Sequence, residues 1–410
     1  MFANGGKALA GVLAAVTMFV AGCSPSGARQ GQTVPDAPIQ RPPVAVTDRT
    51  MAARGQIVRV YPDQPFDRQL EASAGTAVRA VYRSTSGVTG ASSLVAGFFA
   101  VPKGTPPKGG WPIVSFAHGT TGVEPGCGPS QRPDLMGDDE TIRSVLNGGY
   151  AVAMTDYQGL DDLGLHPLQE PGPHPFLEPY TAAYNVIDAV RALRQLFPDI
   201  STRWSAVGGS QGGQAAWAAN EFNGQYGQGL NLVGAVALAP AVNLTPLAGL
   251  SRNRRLTDSQ RGVMPLVIAG LQRAGLLRDQ DAFLRGDALS NEKFILGCAQ
   301  GAAQARSTVR SEDLGPATGD TEAELRRALQ AIALPQHPLS APLLVVNGKR
   351  DDTIPPAWVT FAVEASCKAG GSVQHLELDD AGHDIKLSGD VPRWLRQRFD
   401  GKPVESDCPA

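Results

Sequence analysis

The sequence predicts a mostly parallel α/β sheet in three layers, with a helical segment inserted late in the chain. Three observations carry this. Strand-like apolar runs alternate with helical segments from residue 111 onward, the pattern of successive βαβ units. A short apolar run, a Gly-rich turn and a helical stretch follow one another across residues 204–222. Between residues 241 and 339 no strand pattern recurs and amphipathic pieces dominate, over a length too great for an ordinary loop.

The elements follow in order. Lys7 precedes an apolar run from Ala8 to Ala21, which is too short to span a bilayer and reads as a signal peptide over residues 1–22. The run ends Val20-Ala21-Gly22-Cys23. Small residues directly before a cysteine resemble a bacterial lipobox, which implies cleavage before Cys23 and a diacylglycerol on its sulfur. The expected product is an extracytoplasmic protein held at a bacterial membrane by its N-terminal lipid. The alternative is an ordinary secretory signal and a released protein. Residues 23–50 are rich in Pro, Gln, Gly and Ser without an apolar period, so a flexible tether is expected before a catalytic domain over 51–410.

Ile57–Val60, Ala77–Tyr82 and Leu94–Val101 read as antiparallel opening strands. Strands are then expected at Ile113–Ala117, Ala151–Thr155, Trp204–Gly208, Leu232–Ala239, Leu343–Asn347 and Val373–Leu378, with a long helix at Pro179–Leu196. The insertion at 241–339 offers helical spacing at Met264–Ala274, Asp279–Arg285, Asn291–Ala305 and Thr321–Ile332, and reads as a cap over the site.

Composition excludes several classes. The 410 residues are 42% hydrophobic with a formal charge of −3, and loss of Lys7 with the leader makes the mature charge −4. There is no basic patch to meet a nucleic acid and no zinc-type Cys/His spacing. No cofactor, metal or nucleic-acid partner is expected, and the protein is expected to be a monomer.

The chemistry lies in the turn. Ser210 sits in Gly208-Gly209-Ser210-Gln211-Gly212, between the apolar run Trp204–Val207 and the helical stretch Gly213–Phe222. Strand, sharp turn and helix around G-x-S-x-G form the nucleophile elbow of the α/β-hydrolases. Its glycines are needed because side chains at −2 and +2 would collide across the strained turn. The helix N-terminus behind the serine favours the negative charge that acyl transfer develops there. An acid and a histidine follow in the order this fold uses. Asp351 and Asp352 come after the run Pro342–Val346, and His383 comes after Val373–Leu378. Both sit where a strand ends at the carboxyl edge of a parallel sheet, where open α/β sheets place their ligands. His383 would take the Ser210 proton and return it to the leaving group, and the acid would hold its tautomer. The motif Gly348-Lys349-Arg350-Asp351 followed by Ile354-Pro355 favours Asp351 as the acid, with Asp352 as the alternative. An oxyanion hole needs the N–H of Gln211 and a second N–H from the loop after an earlier strand. The loop His118-Gly119-Thr120-Thr121-Gly122 offers Thr120, with Thr121 as the alternative, and His118 reads as a residue bracing that loop.

Beyond these residues the chain resembles the secretory lipases, the fungal lipase A type with an actinobacterial branch. The resemblance rests on Ala117–Gly122 leading to Cys127-Gly128-Pro129-Ser130, then Thr155-Asp156-Tyr157-Gln158-Gly159-Leu160 and His174-Pro175-Phe176-Leu177. It continues through Val186–Leu193, Gly209–Gly213 and the Asp351 and His383 loops, covering roughly residues 90 to 400. It implies an α/β-hydrolase core, a helical cap, and carboxylic ester hydrolysis without a cofactor. One departure is visible: the family's Gly-rich stretch after Leu160 becomes Asp161-Asp162-Leu163-Gly164-Leu165, followed by a longer Pro-rich insert bordering the family's acyl site. Cys127, Cys298, Cys367 and Cys408 form an even set in an oxidising compartment. Of the three possible pairings, the spacing resembles the family's Cys127–Cys298 with Cys367–Cys408.

The function expected is hydrolysis of carboxylic esters, acyl lipids first, through an acyl-enzyme on Ser210. A small-ester carboxylesterase and an acyltransferase are alternatives within the same chemistry, and a non-catalytic surface-binding lipoprotein is the alternative outside it. If the cap covers an acyl channel, helical spacing nominates Met264, Leu266, Val267, Ile268 and Leu271 as its lining.

Overall fold

The computed structural model describes residues 33–162 and 172–409. Among these residues nine strands form one sheet: β1 (Ile57–Tyr61), β2 (Ala74–Thr85), β3 (Ser92–Pro102), β4 (Trp111–Ala117), β5 (Ala151–Thr155), β6 (Ile200–Gly209), β7 (Asn231–Leu238), β8 (Leu343–Gly348) and β9 (Val373–Leu378). Their spatial order is β1-β2-β3-β5-β4-β6-β7-β8-β9. β1, β2, β3 and β5 pair antiparallel, and the pairs from β5 through β4 to β9 are parallel. This is the α/β-hydrolase arrangement. Because β4 lies between β5 and β6, the loops leaving β4 and β6 part to opposite sides. Ala117 and Gly208 end side by side at this switch point, the place on the carboxyl edge where open α/β sheets bind ligands.

Seven described helices have nine or more residues: α1 (Asp139–Asn147), α2 (Pro179–Leu196), α3 (Gln211–Tyr226), α4 (Asp258–Arg273), α5 (Gly319–Ile332), α6 (Pro356–Lys368) and α7 (Asp390–Phe399). Strand alternation sorts them onto two faces. Ile113, Ala117, Ala151 and Ala153 share a core with α2, α3 and α6, whereas Val114, Phe116, Val152 and Met154 share the opposite core with α1 and α7. Both faces are covered, so these strands read as apolar runs rather than alternating ones. Each fully buried Val, Ile or Phe contributes about 1.5–3 kcal/mol by leaving water.

Between β7 and β8 the described elements are helical, apart from an isolated bridge pairing Leu284 with Leu314. Here local detail departs from the sequence reading. The segment expected at Met264–Ala274 begins earlier, at Asp258, because Thr257 and Gln260 form a reciprocal capping box. Asn291–Ala305 divides into Glu292–Leu296 and Ala302–Ser307, broken between Gly297 and Gly301, the latter at φ 87°. Asp279–Arg285 keeps only a single 3-10 turn at Gln280–Ala282.

The tether expected over 23–50 requires correction for its second half. Residues 36–41 are bonded into the body. Asp36 N–H donates to Thr245 Oγ1 at 2.8 Å, and Asn243 Nδ2 donates to the Asp36 carbonyl at 2.9 Å. Ile39 N–H donates to the Gln330 carbonyl at 3.0 Å, and Arg41 pairs with buried Glu178 at 3.1 Å. A short helix, Asp48–Ala52, follows with Thr47 as its cap. The segment lacks an apolar period because polar partners distant in sequence, not an apolar face, hold it. The leader and Cys23 lie outside the described residues.

Candidate active site

Ser210 follows β6 directly and precedes the first residue of α3. Its φ of 55° is a left-handed value that side chains rarely adopt. The surroundings enforce it: Ser210 N–H donates to the Leu238 carbonyl at 2.8 Å, and the Ser210 carbonyl accepts from Gln214 at 3.0 Å and Ala241 at 3.2 Å. The flanking glycines are required by space. A Cβ on Gly208 would lie 2.3 Å from the Gly212 carbonyl oxygen, and one on Gly212 would lie 1.9 Å from that of Ala117. The elbow is therefore wedged against the end of β4, and any larger residue at either position drives the two loops apart.

Ser210 Oγ lies 2.8 Å from His383 Nε2, and His383 Nδ1 lies 2.8 Å from Asp351 Oδ2. A carboxylate only accepts, so Nδ1 carries the imidazole proton and Nε2 accepts from the serine hydroxyl. Asp351 is 4% exposed, and its other oxygen accepts from the N–H groups of Thr353 and Ile354, both at 2.9 Å. Those bonds fix the carboxylate's rotation toward the imidazole. The acid and histidine loops are pressed together because Gly348 leaves no room between them: its Cβ would sit 2.2 Å from the Ala381 carbonyl oxygen. Asp352 faces away. It is exposed, its Oδ1 accepts from Ser259 Oγ at 3.1 Å, and its carbonyl accepts from Thr257 Oγ1 at 2.9 Å. Of the two aspartates, Asp351 contacts the imidazole and Asp352 receives the start of α4.

Gln211 opens α3, so its N–H has no carbonyl four residues back within the helix. Thr120, Ser210 and Gln211 line one cavity together. Thr121 turns instead toward the disulfide loop, its hydroxyl donating to the Cys127 carbonyl at 2.8 Å. Gln211 and Thr120 thus share a space with the serine, and Thr121 does not.

Two further histidines support this loop region. His118 is buried, with Nδ1 2.6 Å from the Gly119 carbonyl and its ring 4.5 Å from that of Tyr157, which also donates its hydroxyl to the His118 carbonyl at 3.0 Å. It braces the loop, as the sequence suggests. The sequence alone gives His174 no role. Its Nδ1 donates to the Gln158 carbonyl at 2.9 Å, which leaves Nε2 to accept from Gln211 Nε2 at 3.0 Å. It therefore steadies the side chain of the residue after Ser210. Burial holds the His118 imidazole down to about 4 and the His174 imidazole down to about 3. Both rings should stay neutral from about pH 8 to about pH 5 in a titration followed by imidazole proton resonances. Protonation of either ring near the ordinary histidine value would contradict this packing.

The departure at Asp161 is structural within the described residues. Asp161 pairs with buried Arg79 at 2.6 Å, Arg79 Nε donates to Ser130 Oγ at 3.2 Å, and Ser130 N–H donates to Asp156 Oδ1 at 2.9 Å. Burial, then the Asp161 charge, push Asp156 up to about 7. Residues 163–171, the rest of that departure, lie outside the described residues. Both disulfides form in the family-like pairing, Cys127–Cys298 joining the loop after β4 to the insertion and Cys367–Cys408 joining α6 to the C-terminal tail.

Residues 135–277 match the family model of the secretory lipases. A protein of Mycobacterium tuberculosis named "Probable inactive lipase" is 24% identical over 356 residues, which are 80% of this chain and 75% of that protein. Lipase A of Arthroderma benhamiae is 25% identical over 288 residues, covering 65% of this chain but only 56% of the fungal protein. Among solved structures, lipase A of Candida antarctica matches with a TM-score of 0.68 at 19% identity, covering 88% of this chain and 86% of that one. The rice cell wall degrading esterase LipA of Xanthomonas oryzae matches with a TM-score of 0.66 at 18% identity, covering 85% of this chain and 95% of that one.

Proposed function

We propose that this relative of the secretory lipases hydrolyses carboxylic esters through an acyl-enzyme on Ser210. The observation that carries the reading is the continuous relay from a strained serine through His383 to a buried Asp351, with 2.8 Å at each step. Ser210 Oγ attacks the ester carbonyl carbon while His383 Nε2 accepts its proton. The oxyanion takes hydrogen bonds from the N–H groups of Gln211 and Thr120. Collapse breaks the ester C–O bond, and His383 returns the proton to the departing alcohol. Water then attacks the acyl carbon with His383 as base, and Ser210 leaves with its proton restored.

An inactive binding lipoprotein has no need of a strained serine aligned with an imidazole, since a left-handed side chain costs about 1–3 kcal/mol. The kinship with a protein named as inactive makes turnover the decisive experiment. Release of p-nitrophenol from p-nitrophenyl esters supports the reading, and a folded protein with no turnover overturns it. An acyltransferase would use the same intermediate, and added alcohol separates the two: an alkyl ester product in place of the free acid marks transfer. Acyl lipids are the substrate that the family resemblance suggests, while a small carboxylic ester is favoured by the confined space beside Ser210.

Export and lipidation at Cys23 belong to the same proposal. Among the described residues no helix is long and apolar enough to cross a membrane, and the leader's composition supports attachment by lipid. Cys23→Ser should move the protein from the membrane to the soluble fraction, because loss of the acyl chains removes the retaining force. Unchanged retention after fractionation would favour an uncleaved anchor.

A further inference from the structure

The cavity beside Ser210 is small and mostly apolar. It measures about 20 Å³, and its walls include Phe176, Leu177, Leu244, Leu247, Val263 and Val267. A single water requires roughly 10–15 Å³, so the space takes one or two carbon-sized groups. Thr120 and Gln211 line it, as do Thr353 and Ile354 of the loop that carries Asp351, and His383 does not. In acyl transfer the histidine delivers its proton to the leaving alcohol, so the cavity on the oxyanion side receives the acyl chain. On the side where the alcohol departs, the His383 side chain is partly exposed, at 27%.

The wall carrying Val263 and Val267 is fastened along its length. At the N-terminus of α4, Thr257 and Ser259 hold Asp352, and Gln260 Nε2 donates to the Thr353 carbonyl at 3.2 Å, on the loop that carries Asp351. Near its C-terminus Gly270 lies flush on Phe176, where a Cβ would meet the Phe176 carbonyl oxygen at 2.5 Å. Arg273 closes the end, donating to the Val123 carbonyl and pairing with Glu124. Ties at both ends and the close seat against Phe176 oppose a swing of this helix that would lengthen the cavity. Cores packed this closely resist even one added methylene.

Resting on the ester-hydrolase reading above, we infer that the substrates are esters of short acyl groups, acetyl or propionyl, with the alcohol portion extending past His383 into solvent. The acyl chain sets the limit, and the alcohol can be large.

The test is kcat/KM of the mature chain on p-nitrophenyl acetate, butyrate and octanoate, below the micellar concentration of each. The expected result is a fall of about 100-fold from acetate to octanoate. Val267→Ala, which removes two carbons of bulk from the wall, should raise the butyrate-to-acetate ratio about tenfold. Equal or rising kcat/KM toward octanoate in the unmodified protein would overturn the short-acyl inference while leaving ester hydrolysis intact. An active Val267→Ala protein with an unchanged ratio would overturn this wall as its cause. Hydrolysis of no ester by a folded protein would instead remove the hydrolase reading and this inference with it.

Discussion

Ser210→Ala is expected to lower kcat on p-nitrophenyl acetate by roughly 10⁶-fold, leaving only what binding and the oxyanion donors supply. The loss should fall on kcat, because the hydroxyl reacts rather than binds, and the apolar walls of the cavity are untouched. Stability should change little. Alanine keeps the left-handed backbone and its strain, and the hydroxyl's partner among the described residues, His383, has a partly exposed side chain that water can reach. Ser210→Gly should be more stable than the parent by about 1 kcal/mol, since glycine adopts that backbone without strain. Steady-state kinetics and thermal melts of the two variants check both halves. A Ser210→Ala protein that retains more than about a thousandth of the activity would place the nucleophile elsewhere.

The second large effect separates adjacent aspartates. In Asp351→Asn the amide oxygen can keep the bonds from Thr353 and Ile354, which places its NH₂ against His383 Nδ1. Two donors cannot share that contact, so Nδ1 gives up its proton and Nε2 carries it toward Ser210. The imidazole then faces the serine in the wrong tautomer, and kcat should fall by roughly 10⁴-fold. Asp352→Asn keeps an acceptor for Ser259 and leaves the Thr257 bond to the backbone carbonyl unchanged, so its cost should be no more than about threefold. Parallel kinetics on the two variants decide the matter, and the reverse ranking would move the acid one position along the chain.

Much of this architecture is legible in the residues because the signals are local. β5 and β9 run over the expected residues, and so does α2, because each is a run of one pattern bounded by turn residues. β2 is longer than its apolar alternation suggests. Its end holds Ser84 and Thr85, buried because Ser84 donates to Asp188 at 2.9 Å and Thr85 meets Tyr226 at 2.6 Å, partners that periodicity cannot register. The same blindness accounts for residues 36–41. The loops that carry Ser210, Asp351 and His383 are readable from strand ends together with the G-x-S-x-G motif, while which of Asp351 and Asp352 turns inward is visible only once the chain folds. His174 stands in a quoted motif, yet its bond to Gln211 is visible only once the chain folds. Of the five lining candidates only Val267 reaches the cavity, joined by Val263 one turn earlier. Met264, Leu266, Ile268 and Leu271 are buried in the core shared with α2, α3 and α6. Helical spacing identifies a buried face but not which part of that face meets the serine.

The central claim is that Ser210 is the activated nucleophile. A fluorophosphonate probe tests it most directly, because only a serine deprotonated by its neighbour attacks phosphorus and keeps the adduct. After labelling of the intact protein, digestion and peptide mass spectrometry should place one adduct on Ser210. That adduct should be absent from Ser210→Ala and greatly slowed in Asp351→Asn. An adduct on another residue, or labelling that survives Ser210→Ala, would contradict the account.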